Sequence, residues 1–215
     1  MKYAIFGTGM VGTTIANKLI QNGHSVMMGS RSATNEKALA WVKSAGNNAS
    51  SGTFSDAAKY ADIVFNCTKG EVAMEVIGAA GVENLKGKIL IDISNPLDFS
   101  KGMPPSLTVC NTDSVGEQIQ RMLPETQVVK TLNTTSCLIM VNPSLLQGVH
   151  DLFISGNDAA AKERVSAILT KEFGWTTIID LGDITTSRGT EMILPLWVRL
   201  YGAFKSSNFN FHIVR

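Results

Sequence analysis

Lys2-Tyr3-Ala4-Ile5-Phe6-Gly7-Thr8-Gly9-Met10-Val11-Gly12 is the stretch that decides the fold. A short apolar run, Tyr3 to Phe6, feeds into Gly7-x-Gly9-x-x-Gly12, and Val11 to Ile20 carries a helix-like pattern. The segment therefore reads as strand, glycine turn, helix. Gly7 lets the backbone turn sharply off the strand, Gly9 removes a side chain where a pyrophosphate must approach, and Gly12 lets the helix pack close to the strand. Unpaired N–H groups at the helix start, with about half a positive charge from the macrodipole, favour an anion there. In this context the motif, with Thr8, Met10 and Val11 between its glycines, predicts a dinucleotide site.

Such a site belongs to an α/β fold of Rossmann type, a doubly wound and mostly parallel sheet, here with a C-terminal helical appendage. The dinucleotide-binding domain is expected over residues 1–182, and a C-terminal helix and tail over 183–215 should pack on it or on a second subunit. The first helix is predicted from Met10 to Asn22, stopping at Gly23, and Ser25 to Met28 forms the second strand. That strand ends in Gly29-Ser30-Arg31-Ser32. An Asp or Glu placed about 20 residues beyond the glycine motif accepts the ribose hydroxyls of NAD. Here Ser30, Arg31 and Ser32 offer hydroxyl and guanidinium donors instead, which suit a 2′-phosphate. NADP(H) is the expected cofactor.

Farther along, a helix is predicted over 37–45, a polar loop over 47–53, and a helical turn over 55–61 capped by Ser55. The strand 62–67 releases the chain at Thr68-Lys69-Gly70, and the strand 88–93 at Ser94-Asn95-Pro96. Loops at the carboxyl ends of parallel strands face the ligand crevice, so Thr68, Lys69, Ser94, Asn95 and Pro96 are candidates for lining it. Lys69 reads as an exposed or phosphate-facing lysine, with a general acid as the lesser alternative, because nothing in the sequence shows the burial that would lower its pKa. The irregular segment 98–112 suits a wall or lid of a substrate pocket, and Ser114-x-x-Glu117 is a capping box opening a helix. A strand over 127–132 runs into Asn133-Thr134-Thr135-Ser136, hydrogen-bonding side chains that suit a nicotinamide or flavin-like ring. After a strand at 152–155, Asn157 or Asp158 caps a helix to Phe173, and 176–181 closes the sheet. The segment 183–201 is helix-like but interrupted at Pro195. Its apolar residues are too many for one solvated face, and a homodimer contact is the expectation. The tail 209–214 alternates like a strand.

With 44% hydrophobic and 17% charged residues, the 215-residue chain can bury a sizeable core. A net charge of +1, with no basic block, gives no support for a nucleic-acid partner. No window is long and apolar enough for a membrane helix and no signal-peptide layout opens the chain, so a cytoplasmic protein is expected. Cys67, Cys110 and Cys137 lack any C-x-x-C spacing and read as small buried residues, and no metal site is expected.

The glycine motif, Gly29-Ser30-Arg31, Val129-Lys130-Thr131-Leu132-Asn133-Thr134 and Asp180-Leu181-Gly182 with Ser187-Arg188 resemble the deazaflavin (coenzyme F-420)-dependent NADP oxidoreductases. Asp92-Ile93-Ser94-Asn95 and Asn133-Thr134 are also similar to the cytosolic reductase domain of six-transmembrane metalloreductases. The resemblance implies an oxidoreductase that transfers hydride between NADP(H) and a deazaflavin or flavin, its small-molecule redox substrate, using two stacked rings and no catalytic acid or base. It places the pyrophosphate on Thr8 to Val11, the 2′-phosphate on Ser30 and Arg31, and the nicotinamide among Thr68, Ser94, Asn95, Asn133 and Thr134. Asn133 and Ser136 stand where a histidine and a proline are expected in the deazaflavin enzymes, so deazaflavin F-420, FMN and FAD all remain open as acceptor. Two rivals stand beside this reading: a reductase of a small keto or imino substrate, and a non-catalytic NADP(H)-sensing protein.

Overall fold

Along the strand Lys2–Phe6 (β1) successive side chains enter opposite cores: Tyr3 and Ile5 join one apolar cluster, Ala4 and Phe6 the other. The same division holds for Ile63 and Phe65 against Val64, and for Ile89 and Ile91 against Leu90. A continuous apolar run therefore means a strand covered on both faces. In the computed structural model, which describes all 215 residues, the first cluster holds 27 buried residues and the second 18.

Eight strands form the sheet. Ser25–Ser30 (β2) and Ala49–Thr53 (β3) lie to one side of β1, and Ile63–Asn66 (β4) and Ile89–Asp92 (β5) to the other. Beyond the hairpin of Leu97–Asp98 (β6) and Ser106–Leu107 (β7) come Gln127–Thr131 (β8), Leu152–Gly156 (β9) and Ile178–Asp180 (β10). The order is β10-β9-β8-β5-β4-β1-β2-β3, with the strands from β8 across to β3 parallel and β9 antiparallel to β8. Between β8 and β9 the chain has only the short α-helix Cys137–Val141 and a 3-10 turn at Pro143–Leu145, with no long crossover helix of the kind that usually joins parallel strands. The helices are Met10–Gln21 (α1), Glu36–Ala45 (α2), Phe54–Tyr60 (α3), Ala73–Ala80 (α4), Val82–Leu85 (α5), Val115–Met122 (α6), Cys137–Val141 (α7), Ala159–Ile168 (α8), Ser187–Met192 (α9) and Leu194–Phe204 (α10). Buried residues of α1, α2, α7 and α8 complete the first core, and those of α3, α4, α5 and α6 the second. This is the Rossmann-type doubly wound α/β architecture, followed by C-terminal helices.

Several local expectations need correction. The polar segment Ala49–Thr53 is an edge strand held by its backbone ladder to β2. Thr53, not Ser55, caps α3, accepting from the Asp56 amide in a full capping box. Ser114 does cap α6, but the Glu117 carboxylate binds Arg188 and the Ser114 hydroxyl instead of turning back to the cap backbone. Asp158 caps α8, while Asn157 accepts from the Ile184 amide. The helical segment after residue 183 breaks at Ile193, with Pro195 in the first turn of α10, where its missing N–H costs nothing. The tail forms no strand; Phe211 O accepts from the Asp151 amide at 2.9 Å and the rest is irregular. Cys110 is exposed, and all three cysteines are free. No helix is long and apolar enough to cross a membrane.

At Gly12 an added methyl would sit 2.3 Å from Gly7 O and 3.1 Å from the Ile5 Cγ2. Gly12→Ala is expected to destabilise the protein by about 1–3 kcal/mol, read as a lower urea midpoint at unchanged slope.

Candidate functional site

The carboxyl ends of β2, β1, β4, β5 and β8 line one edge of the sheet, about 19 Å wide at the usual strand spacing of roughly 4.8 Å. At its centre the Gly7 amide donates to Gly29 O at 3.1 Å and so closes the turn. Thr13 is the first residue of α1 whose amide finds a carbonyl, Gly9 O at 2.9 Å. The amides of Met10, Val11 and Gly12 are left at the helix start, with no acidic residue in the first turn. Gly7 needs its φ of +110°, and Gly12 cannot accept a Cβ. Gly9 has neither constraint: its φ is −83°, and a methyl group added there would meet nothing within 4 Å. The fold itself therefore does not require glycine at position 9, and the reason that remains is room for a ligand.

At the β2 end Ser30 is buried and its hydroxyl donates to Ser32 O at 2.6 Å. The Ser32 and Thr34 hydroxyls lie 2.9 Å apart. Arg31 projects outward, 68% exposed, and its Nε donates to Glu75 on α4 at 3.4 Å. Its charge is thus available to an anion that displaces a solvent-exposed carboxylate. Lys69 is 82% exposed and pairs with Glu71 at 3.2 Å, a solvated arrangement.

The other half of the edge is neutral at its surface and ionic beneath. The Thr68 hydroxyl donates to Asn66 Oδ1 at 2.7 Å, and Asn66 Nδ2 donates to Asp92 at 2.8 Å. Ser94 Oγ donates to the same Asp92 oxygen at 2.8 Å. Asn95 and Asn133 form a reciprocal pair: Asn133 Nδ2 donates to Asn95 Oδ1 at 3.0 Å and Asn95 Nδ2 to Asn133 O at 2.9 Å. Pro96 and Thr134 are buried beside them. The structure thus brings Thr68, Ser94, Asn95, Pro96, Asn133 and Thr134 together, while Ser30, Arg31 and Ser32 stand apart beyond the glycine turn. The hydroxyls of Thr135 and Ser136 are buried with no partner in the chain. This stretch is accordingly not a self-satisfied hydroxyl turn, and its orphan groups suit a polar ligand.

Beneath lies a cluster that sequence reasoning missed. Asn66, Asp92 and Lys130 are aligned by strand register on one face of the sheet. Lys130 has no solvent exposure; its Nζ lies 2.7 Å from Asp92 Oδ2 and 2.8 Å from Glu191 Oε1. Glu191, on α9, also accepts from the amides of Val115 and Gly116 at 2.9 and 3.1 Å, filling the N-terminus of α6. Burial opposes the Lys130 charge, but the two carboxylates outweigh it and hold the ammonium above the ordinary lysine value. Burial, with Asp92 adding to it, pushes the Cys67 thiol far above its usual range, so it stands neutral beside the turn. Arg188 first, and Ser114 after it, bond to the Glu117 carboxylate and hold its pKa down against partial burial. One signal of the cluster was present in the sequence: a single charged residue directly following an apolar run, in Ile89-Leu90-Ile91-Asp92 and in Val128-Val129-Lys130.

A shallow concavity of about 300 Å³, bounded by Gln127 and Asp158, lies at the amino end of β8, away from all these residues, and has no hydrophobic lining. The carboxyl edge, with its open amides and the Asn95–Asn133 pair, is the candidate site.

Residues 2–96 match the family model described as NADP oxidoreductase coenzyme F420-dependent. A crystal structure of a candidate F420-dependent NADP-reductase from Arthrobacter sp. FB24 is 49% identical, covers 100% of both chains and superposes with a TM-score of 0.94. The metalloreductase STEAP3 of Rattus norvegicus is 28% identical over 202 residues, which is 91% of this chain and 38% of the relative, so the chain spans about two fifths of that protein. A reductive aminase from Aspergillus terreus, in complex with NADPH and ethyl levulinate, shares the fold at 20% identity, with a TM-score of 0.65 over 95% of this chain and 62% of the other.

Replacing Lys130 leaves two buried carboxylates without a counter-ion, and Lys130→Met is expected to destabilise by about 3–5 kcal/mol in urea unfolding. Because the folded ammonium titrates above the unfolded one, its contribution is complete below about pH 10.4 and is lost as the pH rises through the raised value. Alkaline unfolding of the wild type should therefore begin above about pH 10.5.

Proposed function

The chain belongs to the deazaflavin (coenzyme F-420)-dependent NADP oxidoreductase family, and from that premise we propose that it transfers hydride between NADPH and a deazaflavin or flavin ring. The supporting observation is the juxtaposition on one sheet edge of an open amide cradle and an amide- and hydroxyl-lined pocket whose underlying charges, Asp92, Lys130 and Glu191, are committed to one another, with Cys67 neutral beside it and Lys69 turned to solvent in a pair with Glu71. Such a pocket positions rings and has no free acid or base to move protons, which is what a hydride step between two stacked heterocycles needs from its protein.

In this reading the amides of Thr8 to Gly12 hold the pyrophosphate, with Gly7, Gly9 and Gly12 giving it access. Ser30, Arg31 and Ser32 hold the 2′-phosphate, and Lys69 and Pro96 border the path to the ring. Thr68, Ser94, Asn95, Asn133 and Thr134 surround the nicotinamide half. The orphan hydroxyls of Thr135 and Ser136 lie next in sequence, toward the second ring. The unit 1–182 carries the nucleotide, and 183–215 completes the site through α9. On α10, Leu196, Tyr201 and Phe204 are about half exposed, with Trp197 stacked on Tyr201 and Phe209, and this face is where a second copy would dock.

NADPH oxidation against a panel of deazaflavin F-420, FMN, FAD, ferric chelate and a small keto or imino acid tests the proposal; turnover with the last alone would overturn it. Arg31→Ala is expected to weaken NADPH binding by about 1.5 kcal/mol, the low end for a hydrogen bond to a charged group because the arginine is exposed. NADH binding should be unchanged, and an equal loss for both would remove Arg31 from its role. Gly9→Ala should retain wild-type unfolding yet lose NADPH affinity. Light scattering should give a dimer mass at micromolar concentration.

A further inference from the structure

The hydrogen bonds at the nicotinamide half have a direction, and the buried charges set it. Asp92, paired with the Lys130 ammonium at 2.7 Å, is a carboxylate and can only accept. Asn66 must therefore turn its Nδ2 toward Asp92, at 2.8 Å, which leaves Asn66 Oδ1 facing Thr68. That oxygen in turn takes the Thr68 hydroxyl hydrogen at 2.7 Å and accepts weakly from the Thr68 amide at 3.3 Å. The hydrogen of Thr68 is thus spent inward, and toward the crevice its oxygen has lone pairs only.

Asn133 reaches the same state by an independent route. Thr190 O and Asn95 Oδ1 each take an Nδ2 hydrogen of Asn133, both at 3.0 Å. A backbone carbonyl cannot donate, so the amide orientation of Asn133 is fixed by chemistry. Both Nδ2 hydrogens are occupied, and Oδ1 is the group it has left to offer. Thr68 is half-buried, while Asn133 and Ser94 are both buried; the Ser94 hydrogen also goes to Asp92, whereas Asn133 Oδ1 takes no hydrogen bond within the chain.

We propose that this pocket reads the N–H₂ of the nicotinamide carboxamide through acceptor-only groups, Thr68 Oγ1 and Asn133 Oδ1. Asn66, Asp92 and Lys130 act as positioning residues that fix their polarity. The inference rests on the assignment of the NADP(H) nicotinamide to this half of the edge. It predicts a ligand preference that the fold alone does not: a substituent with both donor and acceptor binds, and an isosteric substituent with an acceptor alone is rejected. A site built to pair a donor penalises the analogue that lacks it, because the buried acceptor is then left unsatisfied.

The test uses the full chain and three probes in equilibrium binding: NADP⁺, its 3-acetylpyridine analogue, in which a methyl ketone replaces the carboxamide, and 2′,5′-ADP, which has no nicotinamide. In the wild type the acetylpyridine analogue should bind about tenfold more weakly than NADP⁺, in line with an unpaired buried acceptor. Thr68→Val should bring the two within about threefold, by taking the acceptor away from NADP⁺ and by relieving the analogue of an acceptor it cannot pair. Asn66→Ala, which releases the Thr68 hydroxyl to rotate, should narrow the ratio in the same direction by improving the analogue. Binding of 2′,5′-ADP should be unchanged in both variants. Equal affinity of the wild type for NADP⁺ and the analogue would overturn the proposal, as would variants that weaken all three probes together, the signature of a merely structural role. If Asn66→Ala does not fold, the isosteric Thr68→Val alone decides. Failure of the wild type to bind 2′,5′-ADP or NADP⁺ would instead sink the NADP(H) reading beneath it.

Discussion

An ammonium with no exposure to solvent, held between Asp92 and Glu191, is the constraint on which the ligand-facing half of this structure depends. Burying three charges in a protein interior is costly, and a pair or triad of this kind is poor evidence of stability for its own sake. What it gives here is geometry. Asp92 ends β5, Lys130 lies in β8 and Glu191 belongs to α9, so one ammonium ties together the strand ends and a helix that arrives much later in the chain. Glu191 also takes the first amides of α6, which stops that helix terminus from serving as a second anion site. The terminus of α1 is left with its amides open.

The C-terminal helices accordingly differ in character. In α9, Ser187 meets Ser114 at 2.7 Å, Arg188 grips Glu117, the Thr190 carbonyl orients Asn133 and Glu191 engages Lys130. A Cβ added at Gly116 would lie 2.9 Å from the Ser187 hydroxyl oxygen, so glycine there leaves room for the Ser187 side chain between the two helices. By contrast α10 buries only Leu194 and Val198, and its aromatic residues stack on one another and on Phe209 of the tail.

The glycine motif was legible because each requirement is local: a positive φ at Gly7, a backbone contact at Gly12 and empty space at Gly9. The parallel strands were legible for a similar reason, since residues that alternate between two cores must be apolar without interruption. Ala49-Ser50-Ser51-Gly52-Thr53 gave no such signal, because an edge strand can be held by its backbone ladder alone. The pairing of Asp92, Lys130 and Glu191 was illegible for a different reason. It depends on the register between β5 and β8 and on where a distant helix lands, and neither quantity is written in local sequence. Likewise Ser114-x-x-Glu117 looked like a closed capping box, and only the arrival of Arg188 redirected the glutamate.

The sequence distance inside the buried cluster bears on how the chain is made. Glu191 lies 76 residues after the Val115 amide it binds, so a nascent chain that has already emitted the strands from β1 to β8 still holds Lys130 with one carboxylate and the first two amides of α6 without an acceptor. Domains generally fold as units as they leave the ribosome. Here the sheet edge beside Asn133 lacks both Glu191 and the Thr190 carbonyl until α9 emerges. Translation of α9 is thus the step that gives Lys130 its second carboxylate and Asn133 the carbonyl that orients its amide.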